Sequence, residues 1–428
     1  MREKREIKIF LLVMAFFAAA CWLRYFDHTI NPQDTTAFAF SYRYGFISRG
    51  LMGSLLELAG HLTGMDLMTY ETVYAWSTVA TLLFFCCLFG FFAAVLVRCE
   101  GRELRRQQYL IILTAVFAFP MFVTEENFGR LDVYLTILML LCMILLIRGR
   151  REWLVPPLCC LGVLIHQGFV FMNVNIVLVL LFYKWLKSGG KKRRYYFLLL
   201  AVTFVAASSL FVYFEFFSHV NGTRIYDEVV ENAKQLAVDG ETYSTALVNH
   251  EILGEGVFMD EWFFHKINYV ELPQFLLVFL PYIWIAVRFG KDLFSRATGG
   301  RDRWIFAAVA LGAWTVLPEF VLKVDYGRYL YSIVFYYLAM ILSLTALGDG
   351  QVKDALGDME ARLTKKMYAP AILIVYPMIL MPFLDKQGVA PHRSEGPHRG
   401  IDSPGNYPFC LFKQFIGTTH CFPSCQLT

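Results

Sequence analysis

The chain has 428 residues, of which 57% are hydrophobic and 17% charged, with a formal net charge of +4 and a mean hydropathy of +0.49. A soluble protein of this size cannot bury so much apolar surface, which includes 40 phenylalanines; composition excludes that class and predicts an all-α polytopic integral membrane protein. The positive charge falls in short clusters between apolar runs, a pattern that topology explains and that points away from nucleic acid.

With the Lys- and Arg-rich run ends taken as cytoplasmic, the chain arranges as about eleven spans with the N-terminus inside. Span one is 7–23; its basic start and the lack of a small-residue cleavage site predict that it is retained rather than cleaved as a signal peptide. The outer segment 24–70 carries Asp27, His28, Asp34 and the run Tyr42-Arg43-Tyr44-Gly45-Phe46-Ile47-Ser48-Arg49-Gly50-Leu51-Met52-Gly53. Within it, 47–59 is moderately apolar and is expected to lie along the outer interface or dip into it. Span two, 72–97, returns to Arg98, Arg102, Arg105 and Arg106. Span three, 109–122, is short and leads to the outer turn Thr124-Glu125-Glu126-Asn127-Phe128-Gly129-Arg130-Leu131-Asp132. Span four, 133–147, ends at Arg148, Arg150 and Arg151.

Between those arginines and the basic cluster at 184–194 there are too few residues for two full spans, each of which needs roughly twenty. A hairpin of two short helices is expected, its tip His166-Gln167-Gly168 staying below the outer surface, with Pro156-Pro157 breaking the first arm. Span seven, 196–214, leads to the long outer loop 215–271. There 224–238 reads as an amphipathic helix, and Trp262, Phe263, Phe264 and Tyr269 mark a return to the headgroup layer. Spans eight, nine and ten are 272–287, 304–322 and 329–347; Asp325-Tyr326-Gly327-Arg328 forms the outer turn between the last two. A cytoplasmic amphipathic segment, 349–366, precedes span eleven, 369–384. The organisation is one transmembrane domain, 1–384, and a poorly ordered tail, 385–428, rich in Gly, Pro and His.

No Gly-rich loop ends in Gly-Lys-Ser/Thr, so nucleotide hydrolysis is not expected. The ten cysteines lack metal-ligand spacing. Cys86-Cys87 and Cys159-Cys160 lie in apolar runs and read as small buried hydrophobes. Cys410, Cys421 and Cys425 are in a position to pair if the tail meets an oxidising compartment.

The charged and polar residues outside the cytoplasmic clusters converge on the outer ends of the spans: Asp27, Asp34, Arg43, Arg49, Glu125, Glu126, Arg130, Asp132, His166, Asp325 and Arg328. This set suits transfer of sugars linked to polyprenyl phosphate. Arginine forks match phosphate oxygens and stabilise the leaving charge. Asp27, Asp34, Glu126 and His166 are the candidate bases for an acceptor hydroxyl. Arg43, Arg49, Glu125, Arg130, Asp132, Asp325, Arg328, Tyr44 and Tyr326 are the candidate substrate-binding residues, tyrosine rings offering a face to a sugar. Arg49 is the first choice for a phosphate ligand and Arg43 the second. Structural readings stand beside these. The arginines snorkel to lipid phosphates, Asp27 and Asp34 are loop carboxylates, the acidic and basic residues at 125–132 and 325–328 form ion pairs, and His166 bonds a backbone carbonyl.

This layout resembles the bacterial membrane glycosyltransferases of GT-C-like architecture and the polymerases of lipid-linked oligosaccharides that build O-antigen, capsule or exopolysaccharide. The resemblance implies an essential acid in the first outer loop, where Asp27 and Asp34 stand. It also implies outer arginines and a histidine, roles that Arg43, Arg49, Arg130, His166 and Arg328 would fill, with 215–271 as the long late loop. A bacterial cytoplasmic membrane, a polyprenyl-phosphate-linked donor, a glycan acceptor and membrane lipids are the partners implied. No cofactor is implied; a divalent metal is compatible with the chemistry but not indicated. The paired acidic dipeptide of many such transferases is absent from the first loop. Two alternatives remain: a transporter or flippase of lipid-linked glycans, for which Glu319 beside Pro318 is the mid-span charge, and an assembly partner in an envelope complex.

Overall fold

Some apolar runs start at a side-chain cap, as Tyr70–Arg98 does, or stop at a left-handed glycine, as Asp132–Arg148 does. The computed structural model describes residues 2–24, 29–118, 128–218, 223–253, 266–322 and 326–364. All of its regular elements are helical: α1 (Arg2–Arg24), α2 (Pro32–Thr36), a 3₁₀ turn (Tyr42–Tyr44), α3 (Gly50–Thr63), α4 (Tyr70–Arg98), α5 (Arg102–Ala118), α6 (Asp132–Arg148), α7 (Val155–Ile165), a π turn (Val170–Val174), α8 (Asn175–Lys187), α9 (Gly190–Phe216), α10 (Thr223–Gln235), α11 (Thr245–Val248), α12 (Lys266–Arg296), α13 (Gly300–Gly312), α14 (Leu317–Leu322), α15 (Tyr326–Ala346) and α16 (Gly350–Thr364). Among the described residues four helical stretches are long and apolar enough to cross a membrane: Tyr70–Arg98, Val170–Lys187, Gly190–Phe216 and Tyr329–Ala346.

The stops follow local chemistry. Thr69 caps α4, its hydroxyl accepting from the Thr72 amide at 3.4 Å. α3 and α6 end on Gly64 and Gly149 in the left-handed region, each closing a bond to the carbonyl four residues back. Pro156 and Pro157 do not break the first hairpin arm, as the sequence suggested. They sit in the first turn of α7, where an amide would have no helical partner to lose. α7 has 11 residues and so rises only about 16 Å; it packs between α6 and α9, and the hairpin tip at 166–169 follows it. Span nine is likewise not one helix. It divides into α13, a 3₁₀ turn at Ala313–Val316 and α14. The carbonyls near the break are met by side chains: Tyr336 donates to Ala308, Tyr337 to Ala310 at 2.7 Å and Asn175 to Gly312 at 2.8 Å. Satisfying them locally is what allows the backbone to bend inside the bundle.

Basic helix ends gather at one side of the bundle. Arg98 at the end of α4 donates to the Arg148 carbonyl at the end of α6. Lys184 near the end of α8 pairs with Glu152, and Lys187 reaches Asp302 at 3.0 Å and Asp349 at 3.3 Å. α16 lies across this side, held by Arg106–Glu360, Arg296–Asp358 and Arg362–Asp292. The expected segment 349–366 is thus a helix over 350–364. α7 starts and α8 ends here, so the hairpin tip lies at the opposite side, with the start of α6. The span at 369–384, the tail and the aromatic cluster at 262–264 lie outside the described residues.

Close approach of α3 to the preceding chain depends on Gly53. A Cβ there would fall 2.2 Å from the Phe40 carbonyl oxygen and 2.5 Å from that of Phe38. Backbone cannot swing aside as a side chain does, so Gly53→Ala should cost about 1–3 kcal/mol. Gly90→Ala, in α4 with Ile144 at 3.6 Å as nearest neighbour, should be neutral or stabilising by about 0.5–1 kcal/mol. Unfolding midpoints of the two variants in the same detergent test the contrast.

Candidate functional site

The site is built around one buried arginine at the start of α3. Arg49 occupies the left-handed region (φ 60°), one of two non-glycine residues with positive φ among those described, the other being Arg151. Its side chain is 10% exposed, too deep for the snorkelling reading. A longer-range partner meets it on each side. Nη2 lies 3.1 Å from His166 Nε2 at the hairpin tip, and Nε lies 3.2 Å from the Glu251 carboxylate.

His166 caps the C-terminus of α7 in an extended conformation, its amide bonded to the Gly162 carbonyl at 3.0 Å. The Gly168 amide donates to His166 Nδ1 at 2.9 Å. A neutral imidazole that accepts at Nδ1 carries its hydrogen on Nε2. That hydrogen then faces the Arg49 guanidinium, which has donors only. With the hydrogen on Nε2 two donors meet across 3.1 Å, and an oxyanion seated beside both would accept from each; with it on Nδ1, Nη2 donates to Nε2 directly. Beside this pair, Ser48 donates to the Gln167 side chain, and the Tyr42 hydroxyl reaches the Leu164 carbonyl at 3.4 Å. The first loop is thereby latched to the tip of the hairpin.

The third wall is the segment 223–253. Within it, α10 and α11 pack on α2, and the Ser244 amide donates to the Thr36 hydroxyl at 3.0 Å. Glu251 lies in a π turn, Asn249–Leu253, and its side chain is 4% exposed. The turn is held to α10 by Tyr226, whose hydroxyl donates to Asn249 at 2.9 Å.

The remaining candidates separate into neighbouring groups. Arg43 is half-exposed, lies over the Tyr44 ring, donates to the Tyr44 hydroxyl and pairs with Glu57 at 3.4 Å. Asn232 of α10 donates to the same hydroxyl at 2.8 Å. Burial raises the Tyr44 phenol against the opposing pull of Arg43. Burial also pushes Tyr42 up to about 12, so both rings stay neutral. Arg130 and Asp34 form a pair at 3.8 Å, both largely buried. Asp132 is buried in the first turn of α6. Gly129, at φ 91°, leaves room for Ile30, whose Cγ2 would lie 2.6 Å from any Cβ there. Asp27, Glu125, Glu126 and Asp325 lie outside the described residues. Tyr326 and Arg328 belong to the first turn of α15, and their side chains also lie outside the description.

Glu251 is the partner that the sequence did not single out. Its signal was the polar triplet Asn249-His250-Glu251 set between Leu247-Val248 and Ile252-Leu253, where a surface loop would not alternate so sharply. No family model, curated protein or solved structure matches the chain.

A left-handed arginine carries a backbone cost of about 1 kcal/mol that glycine would not. If the side chain is what holds this residue in place, Arg49→Gly should be more stable than Arg49→Ala by about that amount. Neither should recover what the guanidinium does. Thermal unfolding of both variants checks the order.

Proposed function

We propose that the protein transfers or polymerises sugars from a polyprenyl-(pyro)phosphate-linked donor onto a glycan acceptor. In this reading it sits in a bacterial cytoplasmic membrane, with about eleven crossings, the N-terminus inside and the Arg49 site facing outward. The observation that carries the proposal is the buried cluster of Arg49 Nη2, 3.1 Å from His166 Nε2, and Arg49 Nε, 3.2 Å from the Glu251 carboxylate; in this reading the imidazole carries its hydrogen on Nε2. A phosphate oxygen seated beside both nitrogens would accept a hydrogen bond from each and displace Glu251 from the guanidinium, since arginine exchanges one oxyanion for another.

The released carboxylate is then the base. The acceptor hydroxyl attacks the anomeric carbon and its proton passes to Glu251. The bond from that carbon to the phosphate oxygen breaks, and the lipid (pyro)phosphate leaves with the electron pair. Its charge is met by Arg49 and by the Nε2 hydrogen of His166. Tyr42 and Tyr44 beside Arg43 offer ring faces for sugar, and Asp34 with Arg130 braces the loop that carries them. Of the bases weighed from sequence, Asp27 and Glu126 lie outside the described residues and Asp34 is with Arg130 at 3.8 Å; Glu251 takes the role in this reading because it is the carboxylate beside Arg49 and His166.

The test is glycan product from membranes carrying equal amounts of protein. Arg49→Ala should lower product about 100-fold or more by removing the phosphate clamp. Glu251→Gln should lower kcat with little change in KM, because the donor still meets Arg49. His166→Gln should cost about tenfold to a hundredfold. Full product from Arg49→Ala at normal protein level would sink the proposal.

A flippase is the second reading, and one observation favours it. The break at 313–316 faces the π turn at 170–174, joined by Thr315 to the Phe171 carbonyl at 3.2 Å and by Asn175 to Thr315 at 2.9 Å. Facing interrupted helices are how transporters build mid-membrane sites. Movement of labelled lipid-linked sugar across vesicles containing the purified protein, without bond formation, would decide for it.

A further inference from the structure

A groove on the side of the bundle is unlike the site at Arg49. It runs between α8, α9 and α13 and encloses about 360 Å³, within the size of ordinary ligand pockets, roughly 300–1,000 Å³. Val179, Phe182, Phe197, Ala201, Phe204 and Ala308 line it, and its lining is apolar throughout. Phe197 and Phe204 are each more than half exposed, so the groove opens sideways.

Its mouth lies beside a collar of cations. α9 begins Gly190-Lys191-Lys192-Arg193-Arg194, and α13 begins Gly300-Arg301-Asp302-Arg303. Phe197 is three residues from Arg194, Ala308 five from Arg303 and Phe182 five from Lys187. At 1.5 Å per residue the apolar lining begins about 4–8 Å from the charges. Lys191, Lys192, Arg194 and both arginines of α13 are exposed, and among the described residues no carboxylate pairs with them. The acid within the collar, Asp302, is already occupied by Lys187 and by Gln351, each at 3.0 Å. Trp185 packs against Phe182 and Phe197, with ring centroids 5.6 and 5.2 Å away, at the level where tryptophan meets headgroups.

We infer that the groove and the collar together bind an anionic glycerophospholipid, one acyl chain in the groove and the phosphate on the collar. Charge selects this occupant. A zwitterionic headgroup would bring its own cation to a surface with several unpaired cations and no carboxylate to spare, whereas an anionic one completes it. The inference rests on membrane residence alone and is independent of sugar transfer, so loss of either leaves the other standing.

The test uses the full chain in phosphatidylcholine vesicles containing increasing fractions of phosphatidylglycerol brominated on its acyl chains. Brominated phosphatidylcholine is the control. The Trp185 emission is the difference between the protein and its Trp185→Phe variant. Half-quenching is expected at about a tenfold lower mole fraction of the anionic lipid. The preference should vanish when Lys191, Lys192, Arg194, Arg301 and Arg303 are changed to Gln. It should vanish too in Ala201→Leu/Ala308→Leu, which fills the groove and keeps the charges. Equal quenching by the two lipids in the unaltered protein overturns the site without reference to any variant. A preference that survives groove filling, or survives loss of the collar, also overturns it.

Discussion

A guanidinium removed from water must be met by anions and acceptors or it destabilises the fold by several kcal/mol. Arg49 is such a group, and the arrangement around it follows from that demand. Glu251, brought in from 223–253, answers that demand; His166 from the hairpin tip lies 3.1 Å from the second nitrogen and, with its hydrogen on Nε2, leaves that nitrogen to an oxyanion. Three segments far apart in sequence are tied at one residue. Arg151 shares the left-handed backbone but precedes the 3₁₀ turn Glu152–Leu154 and is exposed. At Arg49 the same conformation aims a charge inward.

The packing that delivers these groups is ordinary in kind. Gly53 lets α3 press on the 38–40 backbone, and Gly162 makes room for Phe169, whose ring would lie 2.3 Å from a Cβ there. The second contact seats the hairpin tip. Short α7 ends where it does because Gly168 and Phe169 turn the chain at that depth, and His166 therefore meets Arg49 rather than bulk solvent. At the other side of the bundle Lys184, Lys187, Arg98 and Arg296 are spent on helix-end carbonyls and carboxylates. The two sides differ in purpose: one closes helix ends, the other concentrates donors around a buried anion partner.

Much of this was legible in residues. Arginines and glycines interleaved at 43–53 announced a constrained turn, and the shortage of residues between Arg151 and Lys184 predicted the short first arm, α7, although the second arm, Val170–Lys187, is long enough to cross a membrane. The structure separates Arg49 from Arg43 physically, one buried and one half-exposed, a difference that their shared run of residues does not show. Other features were not readable, for stated reasons. Periodicity cannot tell a continuous span from one broken at 313–316, because the apolar pattern runs on through the turn. The donors that satisfy the break come from Asn175, Tyr336 and Tyr337 on other helices. Pro156-Pro157 looked like a helix breaker because composition does not reveal where the first turn begins. Glu251 was hidden because its partner is about 200 positions away, and local polarity alone ranks it no higher than its neighbours.

The most direct measurement is a structure of the protein with a polyprenyl-pyrophosphate sugar bound. The account predicts a phosphate oxygen within hydrogen-bond distance of both Arg49 Nη2 and His166 Nε2, with the Glu251 carboxylate moved off the guanidinium toward the sugar. A lipid phosphate bound elsewhere, with the Arg49–Glu251 pair intact, would contradict it.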